Sequence, residues 1–208
     1  MLDRPLYRNT WKELTKENRM VFMEGARRVG KTTLGEMIAE SFANHEYLSW
    51  EIPEHRARLI REPAFFEAVE RRNESVPFIM FDEINKHRGW RKYLKGVYDR
   101  VEGDYQFLVA GSSRLDYPAR RGDSLAGRYY LLHLWPFTQA ELGRAQLKAE
   151  DFFSNPQQVS MERHAELGEL WQTLSEQSGF PEPYLSGRKT SYRRWSTAYA
   201  EQLIREDI

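Results

Sequence analysis

Four short apolar runs interrupt an otherwise polar chain: residues 20–23 (MVFM), 78–81 (FIMF), 107–110 (FLVA) and 129–134 (YYLLHL). Each is near-continuous rather than alternating. That is the pattern of strands buried on both faces, as in a parallel sheet covered by helices. Residues 47–52 (YLSWEI) form a weaker fifth run. Helical periodicity lies between the runs. Residues 32–42 set Leu34, Ile38 and Phe42 on one face at four-residue spacing. Residues 64–72 and 90–101 predict further amphipathic helices. Strands alternating with helices predict an α/β fold, a doubly wound parallel sheet flanked by helices.

The pattern changes after Pro136. Residues 138–149 predict a helix capped by Thr138, with Glu141 three residues on completing a capping box. Asn155-Pro156 breaks the chain. Residues 160–178 predict a second helix closed by Gly179, Pro181 and Pro183 argue against helix, and 191–205 predict a third. No strand pattern follows Trp135. The chain therefore divides into an α/β core over 1–138 and a helical lid or linker over 139–208.

Composition narrows the class. The chain has 208 residues and no cysteine, which excludes disulfides and thiolate metal sites and fits a reducing, cytoplasmic setting. No apolar run approaches the ~18 residues of a membrane span. Lys plus Arg equals Asp plus Glu at 31 each, so overall charge gives no argument for nucleic-acid coating.

The chemistry centres on Gly25-Ala26-Arg27-Arg28-Val29-Gly30-Lys31-Thr32, which fits GxxxxGK[ST]. It follows the first apolar run and opens the first helix, as a phosphate-binding loop requires. Gly25 and Gly30 permit backbone angles that a side chain forbids. The loop then turns its N–H groups around a phosphate, aided by the helix N-terminus. Lys31 reaches the β- and γ-phosphates and Thr32 ligates Mg²⁺. Thr33 closes the nucleotide-binding stretch, and Arg27 and Arg28, at variable positions, are expected to be solvated.

The second apolar strand ends in Asp82-Glu83. Aspartate there holds Mg²⁺ through water, on a strand expected to neighbour that of the phosphate loop. Glu83 is placed to take a proton from an attacking water. This pair points to NTP hydrolases of the additional-strand class rather than to small-molecule phosphotransferases. Ser112 or Ser113, after the third strand, is a candidate sensor of the γ-phosphate. Arg128, directly before the last strand, is a candidate finger reaching a neighbouring subunit's nucleotide. The five histidines lack metal-ligand spacing, and His133, within an apolar strand, is expected to be a core residue. Trp90 and Tyr93, among Lys86, Arg88, Arg91 and Lys92, are expected to pack inward rather than to clamp nucleic acid.

Together these residues resemble the AAA+ superfamily. More narrowly, the chain is similar to bacterial and archaeal ATPases in which an AAA+ core precedes a nuclease-like C-terminal domain. The resemblance is carried by RPLY (4–7), GARRVGKTTL (25–34), FDEINKHRGWRKYLKGVYD (81–99), LVAGSS (108–113), SLAGRYYLLHLWPFTQAEL (124–142) and SGFPEPYL (178–185). It implies ATP as ligand, Mg²⁺ as cofactor and hydrolysis as activity. Lys31, Thr32, Asp82 and Glu83 keep the roles given above, Ser112 or Ser113 is the first sensor and Arg128 a finger acting in trans in a homo-oligomer. Serine stands where such proteins typically carry asparagine as first sensor. The family's C-terminal domain usually begins near a segment like IREDI (204–208), so that domain is expected to be missing. A non-hydrolysing, nucleotide-dependent switch that recruits a protein or nucleic-acid partner is the alternative.

Overall fold

The apolar runs become five strands: β1 (Met20–Glu24), β2 (His45–Ser49), β3 (Phe78–Asp82), β4 (Gln106–Gly111) and β5 (Tyr129–His133). The computed structural model describes residues 2–101, 103–112, 115, 125–143 and 164–206. The strands form one sheet in the order β2-β3-β4-β1-β5, with every neighbouring pair parallel. Strand β4 therefore lies between β1 and β3. The expectation that the phosphate-loop strand neighbours the Asp82 strand is corrected: the two are one strand apart, roughly 9–10 Å at the usual spacing.

The helices are α1 (Pro5–Leu14), α2 (Lys31–Ala39), α3 (Pro53–Arg61), α4 (Trp90–Val101), α5 (Gln139–Leu142), α6 (His164–Gln177), α7 (Pro181–Ser186) and α8 (Lys189–Glu206). The chain divides into two compact units, Met1–Leu134 and Trp135–Ile208. In the first unit, alternate residues of the central strands face opposite layers. Phe22, Phe81 and Val109 join a core with Trp90, Leu94 and Val97 of α4. On the other face Phe78 meets Trp11 and Phe42, with ring centroids 5.5 and 5.1 Å apart. Both faces being covered explains why these strands read as unbroken apolar runs.

Several expected elements differ. The helix expected over 64–72 is a single 3-10 turn, Phe65–Ala68. Phe65 and Phe66 are adjacent and both buried, which suits a turn better than one face of a helix. The buried Asn44 side chain then accepts the Arg72 N–H at 2.7 Å, outside any helix. Helices α1 and α3 bury few apolar residues, and each opens with proline in its first turn. The same device places α7 at Pro181, where prolines argued against helix. Proline in a first turn lacks only an N–H that no helical carbonyl would have accepted. In the second unit Thr138 caps α5, its Oγ1 accepting from Glu141 N at 3.2 Å. The left-handed residue ending α6 is Ser178 (φ 69°), not Gly179, whose carbonyl accepts from Phe137 N at 2.7 Å. The predicted helical stretches over 144–149 and 160–163 lie outside the described residues. The described regular elements of this unit are all helices. No described helix is long and apolar enough to cross a membrane.

Candidate functional site

Parallel strands bring their C-terminal ends to one edge of the sheet, and the predicted chemistry gathers there. Gly25–Gly30 follow β1 and lead into α2. Gly30 has φ 97°, and Arg28 takes the same left-handed region at φ 60°, so the loop turns back on itself twice. Gly25 is needed for a different reason. A Cβ there would lie 2.3 Å from the Leu134 carbonyl oxygen, and that backbone is pinned by Leu134 N donating to Glu24 O at 2.8 Å. Gly25→Ala is expected to lower stability by about 1–3 kcal/mol, as overpacking commonly does; urea unfolding of the two proteins measures it.

Lys31 is buried. Its Nζ donates to the carbonyls of Gly25 (3.0 Å) and Ala26 (2.9 Å), spanning the mouth of the loop. Burial holds its pKa below the ordinary lysine range, opposed by the charges of Glu83 and Asp82. A desolvated ammonium with no carboxylate in contact among the described residues is suited to meeting an incoming anion. Arg28 is exposed, Ala26 exposed, Arg27 half-buried and Val29 fully buried. Thr33 is half-buried in the first turn of α2.

Thr32 opens the link across the sheet. Its Oγ1 donates to Asp82 Oδ2 at 2.8 Å, bridging the intervening strand. Tyr47 Oη donates to the same oxygen at 3.0 Å. Asp82 Oδ1 is buried with no hydrogen-bond partner among the described residues. Burial raises the Asp82 pKa, only partly offset by the Thr32 and Tyr47 hydrogen bonds. A buried carboxylate short of compensating charge, with one oxygen vacant of donors, fits a divalent cation or its bound water. Thr32 and Asp82 thus fit a Mg²⁺ site of the kind completed by nucleotide phosphates, which needs few protein ligands. Burial, then the charge of Asp82 and its hydrogen bond, push the Tyr47 hydroxyl far above its ordinary range, so it stays a donor.

Glu83 sits in the left-handed region at φ 53°, unusual for a non-glycine residue. Its N–H donates to Ala110 O at 2.8 Å, fixing that turn against β4. Ser112 grips the carboxylate twice: N to Oε1 at 2.9 Å and Oγ to Oε2 at 3.1 Å. Lys86 Nζ lies 3.6 Å from Oε2 and also pairs with Glu51. Ser113 lies outside the described residues. Ser112, one of the two sensor candidates, is placed at Glu83.

Arg128 is not brought to this edge. Tyr129 is in register with Met20, and Met20 N donates to Arg128 O at 3.0 Å. Arg128 therefore lies at the opposite end of the sheet, roughly a five-residue strand or 16 Å from the loop that follows β1. Its Nε donates to Asp99 Oδ1 at 2.7 Å. Lys95 and Arg128 hold Asp99 below the usual carboxylate range.

Residues beyond those predicted also shape the site. Arg4, buried and stacked 4.4 Å over Tyr7, reaches the loop from its far side, Nη1 to Val29 O at 3.4 Å. Glu24, directly before the loop, accepts from Leu115 N at 3.0 Å and pairs with His133 Nδ1 at 2.8 Å. His133 is thus hydrogen-bonded, as expected, but its side chain is 44% exposed rather than in the core, because β5 is an edge strand. Trp90 is buried and Tyr93 half-buried on α4, so these aromatics pack inward as expected. Tyr47 had no sequence signal of its own; only its place beside β3 reveals it.

The AAA domain family matches residues 17–143, which contain all of these site residues apart from Arg4. The chain belongs to this AAA domain family. Its fold is similar to that of a RuvB variant from Thermotoga maritima, with 16% identity and a TM-score of 0.50, over 89% of this chain and 60% of that one. DnaA from Aquifex aeolicus bound to AMPPCP gives 11% identity and a TM-score of 0.45, covering 82% and 59%. The ORC1 protein from Aeropyrum pernix in complex with DNA gives 12% and 0.47, covering 93% and 61%. The chain spans about three fifths of the length of these structures. No curated protein matches it. As an AAA domain the chain has the five-stranded parallel sheet of the AAA+ superfamily, with the nucleotide-binding, ATPase-type architecture of that group.

Proposed function

We propose that this AAA domain binds ATP with Mg²⁺ and hydrolyses it to ADP and phosphate, using nucleotide state to drive or switch a partner. The observation that carries the reading is the Thr32–Asp82 hydrogen bond across β4, with Asp82 Oδ1 left without a donor and Lys31 spanning the loop mouth. Lys31 exchanges its two carbonyl partners for the β- and γ-phosphates, and the loop amides of residues 25–32 cradle the phosphate chain. Thr32 and Asp82 hold Mg²⁺, which offsets charge on the transferring phosphoryl group. Glu83 orients and deprotonates the attacking water, and Ser112 contacts the γ-phosphate. The helical part over 139–208 acts as lid and linker. Mg²⁺-dependent ATP binding and phosphate release by the purified chain, measured by calorimetry and a phosphate assay, test the reading. Neither in well-folded protein removes it.

A second reading is favoured by one observation. Both oxygens of Glu83 are engaged, by Ser112 and by the nearby Lys86, so the base is held back from water. A nucleotide-dependent switch that binds ATP and recruits a protein or nucleic-acid partner without turnover needs no more than this. Single-turnover assays with radiolabelled ATP separate the two.

Arg128 belongs to the first reading only as a residue acting in trans, since it stands at the far end of its own sheet. Arg128→Ala is expected to reduce turnover by roughly 10³-fold, the lower range for such fingers, and to leave ATP affinity nearly unchanged. The check is turnover against protein concentration: the parent rate per subunit rises as subunits assemble and that of the variant stays flat. A parent rate that does not depend on concentration, across the range where assembly occurs, removes the finger role.

A further inference from the structure

The Asp82 carboxylate is gripped through one oxygen. Thr32 Oγ1 at 2.8 Å and Tyr47 Oη at 3.0 Å both donate to Oδ2, while Oδ1 is buried without a partner among the described residues. A carboxylate oxygen accepts about two hydrogen bonds. Oδ2 is therefore saturated, and Oδ1 is the oxygen left for another ligand.

The two donors come from different parts of the fold. Thr32 belongs to the helix that opens from the phosphate loop. Tyr47 sits on edge strand β2, on the far side of β3 from that loop. Its ring meets His55 edge-on at 6.0 Å between centroids, and His55 Nδ1 accepts from Ser49 N at 3.2 Å. The hydroxyl is thus presented by a strand and braced by a neighbouring ring. A single hydrogen bond leaves a carboxylate free to pivot. Two donors converging from helix and strand fix its rotation, and with it the direction of Oδ1. Tyr47 is half-buried, and its hydroxyl is directed to the buried Asp82.

We propose that Tyr47 is a positioning residue for the metal-binding carboxylate: its hydroxyl sets the rotation of Asp82 so that Oδ1 faces the magnesium–nucleotide. The proposal rests on the reading of Asp82 as the Mg²⁺ carboxylate. Residues behind metal ligands typically contribute 10–100-fold to metal affinity, and Tyr47 is assigned the lower end of that range because Thr32 still holds Oδ2.

The test is Tyr47→Phe, which keeps the ring and its contact with His55 and removes only the hydroxyl. Mg²⁺ is titrated into parent, Tyr47→Phe and Asp82→Asn proteins holding a fluorescent ATP analogue, and affinity for the analogue is also measured in EDTA. The expected result is a Mg²⁺ midpoint raised about tenfold in Tyr47→Phe, with metal-free affinity unchanged. Mn²⁺ in place of Mg²⁺ is expected to give an altered paramagnetic resonance spectrum in the same variant. A parental midpoint in Tyr47→Phe, while Asp82→Asn shifts it, overturns the positioning role alone. Parental midpoints in both variants remove the Asp82 reading and this proposal with it. An equal loss of affinity with and without metal marks a purely structural tyrosine and also overturns it.

Discussion

Lys31→Ala is expected to abolish measurable ATP binding. The ammonium is buried, and it holds the loop mouth through the Gly25 and Ala26 carbonyls. Its removal acts twice. The two carbonyls lose their donor, and the phosphates lose a desolvated cation. Removing one member of a buried, hydrogen-bonded charge pair costs about 2–5 kcal/mol. At ~1.4 kcal/mol per tenfold, that is roughly 30- to several-thousand-fold in Kd. Calorimetric titration with Mg-ATP checks it, alongside a melting curve to show that the variant is folded. The melting point is not expected to fall much, because alanine relieves the cost of burying a charge whose pKa burial already depresses. A variant Kd within threefold of the parent removes Lys31 from the phosphate site.

The second large effect is expected from Glu83→Gln, with binding kept and turnover lost. Positioned general bases contribute about 10²–10⁴ in rate. Glutamine keeps the size of the side chain and one carbonyl oxygen for the Ser112 N–H, now at 2.9 Å from Oε1, but it cannot take a proton. The expected result is a fall in turnover of roughly 10²–10³ with ATP affinity within about twofold. The left-handed backbone at Glu83 makes the position informative. A φ of 53° costs of order 1 kcal/mol or more outside glycine, and the contacts to Ala110 O and Ser112 hold it there. Equal turnover by Glu83→Gln and parent counts against hydrolysis through this residue. A parent that binds ATP and never turns it over points to the switch.

These two predictions concern residues that were legible before any coordinates, and the reason is local. The phosphate-loop pattern needs only eight consecutive residues whose backbone angles and side chains act together. The Asp82-Glu83 pair needs only a preceding apolar run. Strands covered on both faces advertise themselves as unbroken apolar stretches, which made the central strands β1, β3 and β4 plain; edge strand β5 showed through its apolar composition although Leu131 is exposed, and edge strand β2 was the faintest, with His45 exposed. Helices α1 and α3 were less visible because each buries little: Tyr7 and Trp11 in one, Leu59 in the other. Proline at their starts was the signal available.

Sequence alone, then, determined the fold class, the loop that fits a phosphate and the acidic strand end, since each follows from neighbours along the chain. Tertiary structure decided what depends on distance through space. It inserted β4 between β1 and β3, brought Thr32 to Asp82 across it, placed Ser112 against Glu83, added Tyr47 from an edge strand and set Arg128 at the far end of its own sheet. Strand order and side-chain convergence arise from how helices and strands pack into layers. A hydrogen bond between residues 35 positions apart, such as that from Tyr47 to Asp82, leaves no periodic trace along the chain.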